Sequence, residues 1–323
     1  MTESIFVAGD DLVTTIDYCL TELEYIEKHW CGTAVGPPKP FIMSHQQPTI
    51  DPTRVNFYQE LREAVGAEAL QTLDPSTVGA SQLESLKPAP GTSTTVPAKY
   101  TCATQKPIPT TFQGSAHTAA LQVGLGKIIP RWKTGPDKSV NFAAFANGYP
   151  KPELALIAAQ ALKQAADEWN KLELGVQLKW VAKIEDAAFV LSFAGNQDGV
   201  LAEAFFPNEK DLNVLNVYNA AFQPGTVQYL KNIFLHELGH VLGLRHEFAP
   251  ELEDEADNYT VQIGPRNPLS VMGYEFPPQI QPSDVENVKA FYKFPGKALG
   301  WKEAYTETPK KSMLLIKDYD ANN

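Results

Sequence analysis

The sequence predicts an α+β fold, and three observations carry that expectation. In the second half of the chain the apolar residues alternate between strand and helix periodicity, in the order strand, helix, several strands, helix, irregular loop, helix. A stretch rich in Pro, Ser, Thr, Gly and Ala, from Pro75 to about Thr118, separates that half from a small helical N-terminal segment. With 323 residues, 43 % of them hydrophobic and 10 % aromatic, the chain has the material for a sizeable core.

Taken in order, residues 9–31 and 51–73 carry helical spacing, with Leu12, Ile16, Leu20, Leu23 and Ile26 three and four apart. Pro88, Pro90, Pro97, Pro107 and Pro109 then break any regular element. Residues 138–145 alternate Val140, Phe142 and Ala144 on one side, as a half-buried strand does. A long helix opens at Pro152 and lines up Leu154, Ala158, Leu162, Ala165, Trp169 and Leu172. Strands are expected at 175–181, 187–193, 199–206 and 212–218. A second helix is expected from about Thr226 to Leu242, and a third from Ser283 to Tyr292 behind a Ser283-x-x-Glu286 capping box. These elements divide the chain into a helical segment (1–74), a linker that could belong to a pro-segment (75–125), a globular domain (126–296) and a C-terminal tail (297–323).

The 27 basic and 38 acidic side chains leave a formal charge of −11, which disfavours nucleic acid as a partner because phosphate binding rests on a basic face. No run of about 18 apolar residues suggests a membrane span. The acidic start, MTESIFVAGDDLVTTIDYCL, does not read as a secretory signal. Three cysteines, Cys19, Cys31 and Cys102, are too few for a disulfide framework.

The chemistry is concentrated in HELGHVLGLRHE, residues 236–247, which holds three of the six histidines. At about 100° per residue, His236 and His240 sit one helical turn apart on one face, so both imidazoles reach one ion. Leu230, Phe234, Leu238, Val241 and Leu242 form the opposite, core-facing arc. A helix continued through His246 would place it about 9 Å beyond His240, too far to share a metal. Gly243 supplies a turn that brings His246 back as the third ligand. Three neutral imidazoles with an open fourth position suit a catalytic zinc ion. Glu237 is placed as general base and acid toward the water that such an ion activates.

The pattern H-E-x-x-H-x-x-G-x-x-H, followed by SVMGY with Met272, resembles the metzincin clan of zinc endopeptidases. The resemblance implies a twisted, mostly parallel sheet with an antiparallel edge strand, an active-site helix and a C-terminal helix. It also implies Met272 as the Met-turn methionine beneath the metal. Tyr274 matches the tyrosine that assists the oxyanion in astacin-like and serralysin-like members, or else is a core aromatic. Residues 128–135, the helix ending in Trp169 and GVLAEAFFPN (199–208) resemble matrixins, so that Leu201 and Ala202 are expected to pair with an extended peptide substrate unless they are ordinary strand residues. Residues 208–218 lack the His and Asp residues that hold the structural zinc and calcium in matrixins, and Glu247 after the third His is the astacin-like choice. Cys102, in YTCATQKP, is either an ordinary thiol or a cap on the zinc of the kind matrixin pro-segments use, although its neighbours do not match that family's switch motif. Glu251, Glu253, Asp254, Glu255 and Asp257 form a solvated loop or a lid favouring basic substrate residues.

The expected activity is therefore zinc-dependent endopeptidase action by a monomer on protein or peptide substrates, with one catalytic Zn²⁺. The alternative is a catalytically inactive zinc-binding module that holds a peptide without cutting it. The clan resemblance points to secretion, whereas the N-terminal sequence points to an intracellular address.

Overall fold

The computed structural model describes residues 62–77, 101–104, 121–247, 249, 260–302 and 311–321. The expected helix over 9–31, Cys19, Cys31 and the acidic run 251–257 lie outside these residues. The fold is mixed α+β, with parallel and antiparallel strand pairs and three main helices among the described residues. None of these helices is long and apolar enough to cross a membrane.

Strand β1 (Leu121–Val123) lies between two short strands that come much later in the chain, β8 (Leu244–Arg245) and β9 (Val261–Ile263), and is antiparallel to both. Strand β2 (Ile128–Trp132) runs parallel to β11 (Lys311–Tyr319), which forms a hairpin with β10 (Ala298–Lys302). So β1, inside the stretch read as linker, and β10 and β11, inside the stretch read as tail, all pair with strands or neighbours of the central domain.

The main sheet has five strands in the order β4, β3, β5, β7, β6. Strands β3 (Ser139–Ala144), β4 (Gln177–Trp180), β5 (Phe189–Phe193) and β7 (Asn213–Val217) are parallel, and β6 (Ala202–Glu203) is the antiparallel edge. Their registers stack Phe142 opposite Trp180 and Phe189, and Leu191 opposite Leu215. Near-continuous apolar runs such as Phe189-Val190-Leu191 fit a sheet covered on both faces. The edge strand is much shorter than the expected 199–206, because the backbone turns at Val200, whose N–H donates to Gln197 O.

Helix α1 (Pro152–Asn170) starts on Pro152, whose missing N–H costs nothing at that position, and buries an alanine-rich face including Ala155, Ala158, Ala161 and Ala165. It ends at Asn170, whose amide side chain bonds both the N–H and the C=O of Leu178 and so turns the chain into β4. Helix α2 (Leu230–Val241) packs on α1 through an Ile233, Phe234 and Leu238 core and the Lys231–Glu168 ion pair. Helix α3 (Pro282–Lys293) is capped at Gln281 and Asp284, two residues earlier than the expected Ser283–Glu286 box, because Pro282 occupies the first turn.

Residues 62–77 lie on the other face of the sheet. The Leu73 N–H donates to Ala144 O, the Ala146 N–H to Gln71 O, and Thr72 Oγ1 to Ala182 O. Leu70 is buried there with Phe145, Ile184, Val190 and Leu212. Only residues 62–65 of the expected 51–73 helix are helical among those described.

Candidate metal centre

Three aromatic donors hold the site helix from behind. Trp132 Nε1 donates to Val241 O at 2.6 Å, Trp169 Nε1 to Leu235 O at 3.0 Å, and the Tyr292 hydroxyl to Leu242 O at 3.0 Å. Val241 and Leu242 carry carbonyls that a helix C-terminus leaves unsatisfied, so these bonds supply their partners in a dry core.

The turn after the helix depends on Gly243. Its φ of 91° lies in the left-handed region, and a Cβ there would stand 2.5 Å from Pro130 O. The chain folds back through Leu244 and Arg245, and His246 returns to the helix face. The ring centroids of His236, His240 and His246 are mutually 4.9, 5.1 and 4.7 Å apart, with His240 Nε2 3.2 Å from His246 Nε2.

Backbone carbonyls orient two of the rings. His236 Nδ1 donates to Val271 O at 2.8 Å and His240 Nδ1 to Leu244 O at 2.7 Å. A carbonyl only accepts, so Nδ1 carries the proton in both and the Nε2 lone pairs point into the cluster. Burial, reinforced by His246, holds both imidazoles well below the usual histidine pKa, which keeps them neutral and ligand-competent. Tyr274 is placed against the third ring, its hydroxyl 3.1 Å from His246 Nδ1.

Met272 is fully buried against the helix at Gly239, where a Cβ would lie 2.2 Å from Met272 Sδ. Its loop is tied down by Asp284, which sequence reasoning passed over. One oxygen, Oδ2, accepts both the Val271 N–H at 2.9 Å and the Gln281 N–H at 2.8 Å. Asp284 thus steadies the residue whose carbonyl aims His236.

The remaining wall comes from far upstream. Residues 101–104 lie along the edge strand: Leu201 N–H donates to Thr101 O at 3.1 Å, Ala103 N–H donates to Ala202 O at 3.3 Å, and Cys102 and Ala202 pair in the parallel sense. The segment that Leu201 and Ala202 pair with by backbone belongs to the chain itself. It places Cys102 Sγ 3.6 Å from His240 Nε2 and 3.6 Å from Glu237 Oε2. Burial, and then the Glu237 carboxylate, push the thiol well above its ordinary pKa. A cation at the centre of the cluster would reverse that preference, since a coordinating thiol is deprotonated.

Cys102, His236, His240 and His246 are all buried, and their ligand atoms lie within 4.8 Å of one another, so the group could hold a metal ion. The donor set fits. With metal–nitrogen bonds of about 2.0 to 2.1 Å and metal–sulfur bonds of about 2.3 Å at tetrahedral angles, nitrogens sit about 3.3 Å apart and nitrogen and sulfur about 3.6 Å apart. Two of the six pairs, His240 Nε2–His246 Nε2 and Cys102 Sγ–His240 Nε2, stand at 3.2 and 3.6 Å, and all six lie within 4.8 Å.

Thr104 is the other residue that the sequence did not single out. Its Oγ1 donates to Glu237 Oε2 at 2.9 Å and accepts the Ala204 N–H at 2.7 Å. Compared with protein-family models and with curated proteins, the chain matches none.

Proposed function

We propose that the chain is a zinc-dependent endopeptidase of metzincin type, held latent by its own residues 101–104. The observation that carries this reading is Glu237 beside the ligand cluster: a carboxylate next to three inward-facing imidazoles is what metal-assisted hydrolysis requires and structural metal binding does not. His236, His240 and His246 would hold the ion, with Cys102 as the fourth ligand in the latent state. When bound, Zn²⁺ supplies Lewis acidity toward a peptide carbonyl and lowers the pKa of a water to about 7.

The rest of the chemistry falls to the chain. With residues 101–104 displaced, the Glu237 carboxylate is released from Thr104 and takes a proton from water in the cleft, later delivering it to the leaving amine. The edge of β6 offers Leu201 N–H and Ala202 O to the backbone of an extended peptide, the same groups now used by Thr101 and Ala103.

A second reading is favoured by Cys102 itself. Four protein ligands make a closed site, as structural zinc sites do, which suits a module that binds peptides without cutting them.

Cys102→Ala in the full chain separates the two. Latency predicts that this variant keeps about one metal per chain and cleaves internal bonds of a peptide mixture, read by mass spectrometry. Cys102→Ala/Glu237→Ala should keep its metal and cut nothing. Loss of metal from Cys102→Ala, or metal with no cleavage, would favour the binding module.

A further inference from the structure

The plug also reveals how the cleft handles side chains. In an extended segment alternate residues face opposite ways, so with Cys102 turned to the histidines its neighbour Ala103 turns to the other side. There Ala103 has no exposed surface and packs against Val200 and Tyr218, with Ala194 at the margin.

Tyr218 is a firm wall. Its N–H donates to Leu201 O at 3.0 Å and its hydroxyl donates to Glu203 Oε2 at 2.7 Å, so both ends of the residue are tied to the edge it faces. Val200 is 3 % exposed and held in the Gln197 turn. Ala103 is thus fully buried beside two residues that are themselves tied down, and one methylene in a tight apolar site discriminates about 10 to 200-fold.

We infer that the recess holding the Ala103 methyl is a side-chain subsite, selective for glycine, alanine or serine in an extended peptide laid along β6, with Tyr218 and Val200 setting its size. The inference deepens the peptidase reading and rests on it for the identity of the peptide as substrate. The size limit itself is a property of the recess and is measurable without turnover.

The test uses the full chain with Cys19→Ser and Cys31→Ser, stripped of metal by a chelator, and follows modification of Cys102 by a maleimide. Ala103→Gly should be modified within about twofold of the parent rate, and Ala103→Phe at least about tenfold faster, because the larger side chain expels the plug. Adding Tyr218→Ala to Ala103→Phe should return the rate to within about threefold of the parent, a rescue that general misfolding would not give. An Ala103→Phe chain modified at the parent rate, or one that Tyr218→Ala fails to rescue, overturns the subsite. Cleavage by Cys102→Ala of peptides varied at each position separates the two ideas. Equal rates for Ala and Phe at every position would overturn the subsite and leave the peptidase standing. A complete lack of cleavage would overturn the peptidase reading and leave the subsite to the labelling result.

Discussion

The Thr104 hydroxyl donates to Glu237 Oε2 at 2.9 Å, linking two residues 133 positions apart in sequence, while its oxygen accepts the Ala204 N–H at 2.7 Å. The proposed plug therefore has a second anchor that does not involve a metal, set on the carboxylate proposed as the base. Hydrogen bonds to charged groups contribute about 1.5 to 3 kcal/mol each. Thr104→Val keeps the shape and removes both bonds, together with the one that the Cys102 thiol donates to the same hydroxyl at 3.2 Å. Its Cys102 should react with a maleimide about 10 to 100-fold faster than wild type in metal-free protein, and an unchanged rate would show that Thr104 does not hold the plug.

Asp284 holds two backbone donors with one oxygen, the buried Val271 N–H and the half-buried Gln281 N–H. Asp284→Ala strands both N–H groups and should cost about 2 to 4 kcal/mol in urea unfolding, whereas Asp284→Asn can present its carbonyl oxygen to both and should cost clearly less. Because Val271 O receives His236 Nδ1–H, the alanine variant should also bind zinc about 10 to 100-fold more weakly, read by competition with a chelator. Equal behaviour of the two variants would refute this account.

How much of this was legible in the sequence follows from range. His236, His240 and the core-facing leucines obey one helical period, and Gly243 announces the turn that returns His246, so the ligand geometry is written within eleven residues. The β3, α1 and β5 elements were readable for the same local reason. Thr104 carries no local signature, since its partners Glu237 and Ala204 are 133 and 100 residues away. The cap of α3 was misplaced because Ser283-x-x-Glu286 obeys the local rule as well as the true pair does, and the Val271 N–H that draws Asp284 inward is a tertiary contact. Strands β1 and β11 are short or sit among polar residues, and they become strands by pairing with β9 and β2.

Binding of a metal to the buried cluster should be coupled to stability. Saturation at about 100 times the dissociation constant adds about 2.7 kcal/mol. Dialysis against a chelator should lower the thermal midpoint, and added Zn²⁺ should restore it in wild type but not in His240→Ala/His246→Ala. A midpoint indifferent to zinc would refute metal binding by the native state.

The C-terminal strand supplies a pH dependence of known sign. Burial pushes the Asp320 carboxyl up, but hydrogen bonds and charge from Lys138 and Lys133 outweigh it and hold the group below its ordinary value. A carboxyl with a lowered folded-state pKa stabilises the fold above its unfolded value, about 3.9, and loses that contribution as pH falls through the folded value. Both lysines are partly exposed, so the effect is about 1 kcal/mol or less. Asp320→Asn should be slightly less stable than wild type at pH 7, and in urea titrations the difference should shrink as pH falls below the ordinary carboxylate value of about 3.9.

Gly239 and Met272 test the floor of the site as a pair. A Cβ on Gly239 would fall 2.2 Å from Met272 Sδ, so Gly239→Ala forces the thioether to move inside a closed core. Alanine is favoured over glycine in a helix by about 1 kcal/mol, while overpacking costs about 1 to 3 kcal/mol, so the variant should lose up to about 2 kcal/mol. Met272→Ala alone opens a cavity at a cost of about 2 to 5 kcal/mol. In the double variant the new methyl enters space that the thioether has left. Its loss should therefore be smaller than the sum of the single losses by about 1 kcal/mol or more, whereas simple additivity would mean that the two residues do not share that space.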